Sequence, residues 1–343
     1  MNSVLQRFLT VVLLAGLVAT IAFAGNPKRV GTAGAQELVI PVGSRGMGLG
    51  GADIAGTSGT EALFWNPAGL ARGTNGVEAM FSQMSYIADI GVSYGALNVN
   101  AGDLGYIGFG IKSLNIGDIS NTTEDFPDGT GQHFSPTFVV AGFSYARMLN
   151  DHVAIGVLMN MISEKIMSTS STGFALNAGV QYVGIGVPEL KLGIVVKNIG
   201  PNMSYDGSNL YVTAQAQDGL RAAQYYKVEV ASFELPTTME IGLSYDKKIG
   251  EMNSVVLAAN FENNNYLEDE YKFGAEYGYN NTVFLRGGYD ISPKAPADSY
   301  IYDYSAGVGV NLDLGGFGFT FDYAYRHVKY FTSNNVVTVG LLF

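Results

Sequence analysis

The chain has 343 residues, with 45 Gly, 21 Tyr, 19 Phe, one Trp and no Cys. Only 14% of them are charged, against roughly 25% in a soluble domain, and no stretch after residue 24 approaches the roughly 18 continuous apolar residues of a membrane helix. The formal charge of −11 argues against nucleic acid as a partner, and the absence of Cys excludes disulfides, thiolate metal sites and a lipoprotein anchor.

Residues 1–24 read as a secretory signal. Arg7 supplies the positive end, Phe8–Ile21 the apolar core, and Ala22-Phe23-Ala24 the cleavage site. The chain without it holds 18 basic and 30 acidic side chains, a net charge of −12. Gly25–Val42 carries one apolar run, Leu38–Val42, broken by Pro41. Gly43–Gly73 is rich in Gly and Ala and too small to form a core of its own, so the rest of the chain must enclose it. Within it, Asn66 offers a helix cap and Pro67 fits the first turn, which predicts a short helical turn over Asn66–Ala71 anchored by Phe64, Trp65 and Leu70. Residues 25–75 are therefore expected to form a hatch centred on Trp65, Asn66, Pro67, Ala68 and Gly69. Residues 76–343 are expected to form the barrel around it.

From Gly76 onward the period is two. In Gly316–Tyr330, for example, Phe317, Phe319, Phe321, Tyr323 and Tyr325 alternate with Gly318, Thr320, Asp322, Ala324 and Arg326. A soluble sandwich would carry more charge on its second face. Fourteen strands are expected, near 76–88, 90–100, 103–116, 135–148, 151–166, 170–186, 188–199, 236–249, 252–264, 267–280, 281–292, 300–313, 316–330 and 333–343. Connections after even-numbered strands are tight, as at Asn150-Asp151 and Asn280-Asn281. The long ones, Gly117–Phe134, Gly200–Leu235 and Pro293–Ser299, follow odd-numbered strands. Short periplasmic turns, long outer loops, periplasmic termini and an alternating end in Phe343 define the fold class: all-β, a fourteen-stranded antiparallel transmembrane barrel of the bacterial outer membrane.

Motifs that resemble chemistry have simpler readings here. Gly46–Gly51 contains G-x-G-x-x-G, but neither a following helix nor a βαβ unit is present to make a dinucleotide site. Gly91–Gly95 fits G-x-S-x-G, yet lies mid-strand and recurs nearly unchanged at Gly142 and Gly242. His133, His152 and His327 have no metal-ligand spacing. No catalytic, cofactor or metal residues are assigned. Strand parity turns Lys112, Glu240, Asp246, Glu262, Lys272, Glu276, Arg286, Asp290, Asp303, Asp322 and Arg326 to the lumen, where they pair across strands or with the hatch. Glu262–Glu270 is an acidic outer loop, and Phe126, Phe134, Tyr205, Tyr211, Tyr225 and Tyr226 are exposed aromatics of the outer loops, suited to protein docking.

Val30–Gln36 (VGTAGAQ), Gly46–Ala52 (GMGLGGA), Trp65–Leu70 (WNPAGL) and Val195–Pro201 (VVKNIGP) resemble the PorV/PorQ family of outer-membrane proteins, which looks related to the FadL-type barrels that share an Asn-Pro-Ala motif in the plug. The resemblance implies a fourteen-stranded barrel with an N-terminal hatch. It also implies one of two roles. PorV-like members receive secreted proteins at the outer membrane for type IX secretion. FadL-like members pass long-chain fatty acids and other hydrophobic small molecules through a lateral wall opening. Either role has outer-membrane lipid as its surroundings.

Overall fold

The computed structural model describes residues 29–215, 222–296 and 299–343. The expected signal, 1–24, lies outside them. Fourteen antiparallel strands close into one barrel: β1 Val77–Ser85, β2 Gly91–Asn100, β3 Tyr106–Asn115, β4 Thr137–Met148, β5 Val153–Ile166, β6 Thr169–Val183, β7 Leu190–Ile199, β8 Thr238–Ile249, β9 Asn253–Asn264, β10 Glu270–Tyr279, β11 Val283–Ile291, β12 Tyr302–Asp313, β13 Gly318–Val328 and β14 Asn334–Leu342. Each pairs with its sequence neighbour, and β1 pairs with β14 in the register Ala79↔Leu341. Closure leaves no free sheet edge, so the strand N–H and C=O groups are satisfied without water.

The side chains explain the two faces. Outward positions carry Phe109, Ile111, Val157, Met159, Leu285 and Tyr289, all exposed, which is stable only against lipid. Inward positions carry Ser, Asn, Gly and paired charges. Turns at the end holding Phe343 are tight, and Asn280 and Asn281 both adopt the left-handed backbone (φ 53° and 51°) of a two-residue hairpin turn. Long loops gather at the opposite, extracellular end. One holds the small hairpin Tyr211–Ala214 with Gln224–Lys227.

The chain before β1 runs through the lumen. Its first described residues stand not beside Phe343 but at the extracellular end, where Arg29 Nη2 lies 2.6 Å from Glu234 Oε2 and Gly31 N donates to Tyr266 O. Of the two ends expected on the periplasmic side, Phe343 stands there, its N–H donating to Val77 O at 2.8 Å, and the N-terminal one lies outside the described residues. The inner segment has little regular structure: a helix at Ser44–Gly48, a turn of helix at Ala62–Trp65 and a 3-10 helix at Pro67–Arg72 whose cap, Asn66, accepts from Ala68 N at 3.2 Å. The helix at Ser44–Gly48 was not expected from so glycine-rich a stretch. It forms because the wall supports it, Ser44 N donating to Thr338 Oγ1 at 2.9 Å.

Glycines on the wall set how closely the inner segment can approach. A Cβ on Gly193 would sit 2.7 Å from the Ile54 carbonyl oxygen, and one on Gly274 would sit 2.6 Å from that of Leu49. On Gly156 and Gly179 it would overlap the Pro67 carbonyl and the Asn66 side chain. Strand glycine here answers to backbone packed against backbone.

Candidate functional site

An irregular segment sealed from water must find partners for its backbone groups, and the wall supplies them. Lys112 Nζ donates to the carbonyls of Glu37 and Ile40, both at 2.8 Å. Gln181 Nε2 donates to Ile54 O at 3.1 Å and Thr57 O at 2.9 Å, and Asn66 Nδ2 joins at Ile54 O. Glu78 accepts from Thr60 N at 3.1 Å. Phe64 lies between two ammonium groups, with Lys112 Nζ 4.5 Å and Lys197 Nζ 5.1 Å from the ring centroid.

A chain of charges ties the short helix to the wall. Asp53 Oδ2 lies 3.0 Å from Arg45 Nη2, and Arg45 Nε lies 3.1 Å from Glu276 Oε2. Arg286 then bridges Glu276 and Asp322. Farther up the lumen, Lys197 pairs with Glu240 at 2.6 Å, and Lys272 pairs with Glu262 and with Glu270, the latter at 3.0 Å. Asp246 stands near the periplasmic end of β8, partly exposed and 3.2 Å from Lys191. Asp290 and Arg326 line the space above the inner segment.

Asp303 departs from the expected lumen position. The register of β12 on β13 shifts between Tyr302 and Ser305, a bulge that admits one extra residue. Tyr302 turns into the lumen opposite Val328, and Asp303 turns away from it. Asp303 Oδ1 lies 2.7 Å from His327 Nδ1, and the His327 ring stacks on Tyr304 with centroids 4.8 Å apart. A strict period of two cannot anticipate that flip.

The outer-loop aromatics also divide. Phe126 (61%), Tyr211 (51%), Tyr225 (78%) and Tyr226 (47%) are exposed. Phe134 is half-buried in a two-residue bridge with Ile119. Tyr205 is not an exposed anchor either: its hydroxyl donates to Glu164 at 2.6 Å and its ring leans on Phe233.

Above the inner segment, at the extracellular end, lies a cavity of about 600 Å³. Leu38, Val39, Pro41, Met47, Phe64 and Trp65 of the inner segment form its apolar side. Tyr86, Tyr300, Tyr302 and Arg326 line it from the strand ends and loops of the wall. The Arg326 guanidinium carbon stands 3.3 Å from the Tyr302 ring centroid, and Tyr86 and Tyr302 share a hydroxyl contact of 3.0 Å. The sequence reading missed Tyr86, Tyr300, Tyr302 and Lys197, because two are loop residues, one sits at a bulge, and all are joined only by closure.

Two carboxyls of the inner segment are perturbed. Burial and the nearby Glu164 push Glu37 up to about 7, and burial, only partly offset by Arg45, pushes Glu61 up to about 7. Both lie above the ordinary 4.5, so the folded state holds these protons more tightly than the unfolded chain. Their contribution is full below pH 4.5 and is lost as pH rises through 7, by about 3 kcal/mol per carboxyl at most. Urea unfolding in detergent should show stability falling from pH 4.5 to 7. The pair Glu37→Gln and Glu61→Gln should flatten that slope.

No family model and no curated protein sequence matches the chain. Solved structures do. The CymD monoaromatic hydrocarbon channel aligns at a TM-score of 0.57 and 15% identity, over 88% of this chain and 97% of that one. The Ralstonia pickettii toluene transporter TbuX aligns at 0.53 and 14%, over 88% and 97%. A Pseudomonas aeruginosa FadL homologue aligns at 0.51 and 13%, over 88% and 98%. The chain shares the fold of these FadL-like outer-membrane barrels, and with its closed wall and lipid-facing apolar surface it is an integral fourteen-stranded β-barrel of the bacterial outer membrane.

Proposed function

We propose that the barrel is a passive channel for hydrophobic small molecules, with residues 25–75 as its plug. The observation that carries this reading is the cavity of about 600 Å³, which falls within the range of small-molecule sites and is lined in part by Leu267, Glu268 and Ala295 of the outer loops. Its apolar and aromatic sides suit a greasy guest. The similarity in fold to barrels described as a hydrocarbon channel and a toluene transporter favours this role over type IX secretion.

The exit we propose is sideways, between β6 and β7. Their register breaks between Leu176 and Ala178, where Asn198 takes φ 61°, and above that point β6 pairs with Asp206-Gly207 of a loop instead of with β7. Wall cohesion is weakest where strand pairing is replaced by loop. Expression in Gram-negative cells with an intact lipopolysaccharide leaflet should speed the first minute of radiolabelled naphthalene uptake. An oxidised Leu176→Cys/Ile199→Cys staple should slow it and reduction restore it. Uptake equal to that of cells without the protein would dispose of the channel reading.

A second reading, delivery of secreted proteins as in PorV-like members, draws on the exposed hairpin bearing Tyr211, Tyr225 and Tyr226. Crosslinking from that hairpin should then capture a secreted protein or a translocon component.

A further inference from the structure

The cavity is too polar for a pure hydrocarbon site. Most of its charges are already matched: Lys197 with Glu240, and Lys272 with Glu262 and Glu270. Three groups are not. Asp290 is 6% exposed, and its Oδ1 has no hydrogen-bond partner among the described residues. The same is true of the Tyr300 hydroxyl and of Arg326 Nε. All three residues line the cavity, and each lies within electrostatic reach of the other two. Gly50, also in the lining, packs closely on this carboxylate: a Cβ there would sit 2.6 Å from Asp290 Oδ1.

Buried polar atoms without partners are costly, and a ligand that completes them gains what an empty site lacks. The Asp290 carboxylate accepts, the Arg326 guanidinium donates, and the Tyr300 hydroxyl does either. A guest needs a group that donates and accepts at once. A carboxylate would gain Arg326 but meet Asp290 and the nearby Glu268, so its charge brings little. A hydroxyl fits both sides. The ring faces of Tyr302, Tyr86 and Trp65 suit an aromatic body.

We propose that the vestibule selects a neutral hydroxylated aromatic, its hydroxyl donating to Asp290 and accepting from Arg326 or Tyr300. This rests on the channel reading and narrows it to one chemical class. Isothermal titration of the full chain in detergent with 2-naphthol, naphthalene and 2-naphthoate holds the ring system constant and varies only the head. The expected order is 2-naphthol at least tenfold tighter than either of the others. Asp290→Asn should remove most of that preference and Tyr300→Phe part of it, each weakening 2-naphthol far more than naphthalene, a split that loss of packing would not produce. The fluorescence of Trp65, the single Trp, reports whether each variant keeps its inner segment in place. Equal binding of naphthalene and 2-naphthol, or a preference that survives both substitutions, overturns the hydroxyl site while leaving the channel reading standing. Binding of none of the three, together with unchanged cellular uptake, overturns both.

Discussion

Gly179→Val is expected to leave the barrel folded and unseat the segment inside it. Valine suits the middle of a strand, so β6 itself tolerates the change. The new side chain, however, occupies the place of the Asn66 amide oxygen and presses on Pro67, whose Cδ would be 3.1 Å from its Cβ. Overpacking of this kind costs about 1–3 kcal/mol. Here it falls on the turn where Asn66 caps Ala68 and reaches the Ile54 and Val180 carbonyls. Planar-bilayer recordings should change from closed to conducting, with heat-modifiable migration on gels unchanged. Asn66→Ala, which removes the cap without adding bulk, should give a weaker leak of the same kind. A Gly179→Val barrel as closed as the parent would mean that the inner segment does not seal the lumen through this contact.

Arg286→Met should be the most destabilising single change in the lumen. The Arg286 side chain is almost fully enclosed and sits between Glu276 and Asp322. Glu276 keeps Arg45 as a partner, but Asp322 has no other ion pair among the described residues and is left as a buried charge. Breaking such a pair from one side costs about 3–5 kcal/mol. Adding Asp322→Asn to Arg286→Met should recover a substantial part of the loss in urea unfolding, because the stranded charge is gone. If the double variant is as unstable as the sum of the singles, the cost comes from lost packing and not from the unpaired carboxylate.

The architecture was open to reading from the amino acids because its causes are local. Alternation of Phe317, Phe319 and Phe321 with small or polar residues states which face meets lipid, and turn residues such as Asn280-Asn281 state where a strand must end. A lumen pair such as Lys272 with Glu262 also follows, since inward parity and strand neighbourhood come from the same period. Asp303 was misplaced because a one-residue bulge, invisible in the pattern, inverts parity beyond it. Tyr205 was misplaced because a loop residue's exposure depends on what it folds against, here Glu164 and Phe233.

What the sequence by itself determined is the strand count, the lipid-facing surface, the loop asymmetry and the position of the Asn66-Pro67 turn, all set by side-chain period and backbone chemistry within a few residues. What only the tertiary structure decided is the vestibule and its three unmatched groups. Asp290, Tyr300 and Arg326 come to line one space with Gly50 only when fourteen strands close around the inner segment. No local preference encodes contacts made across that enclosed space.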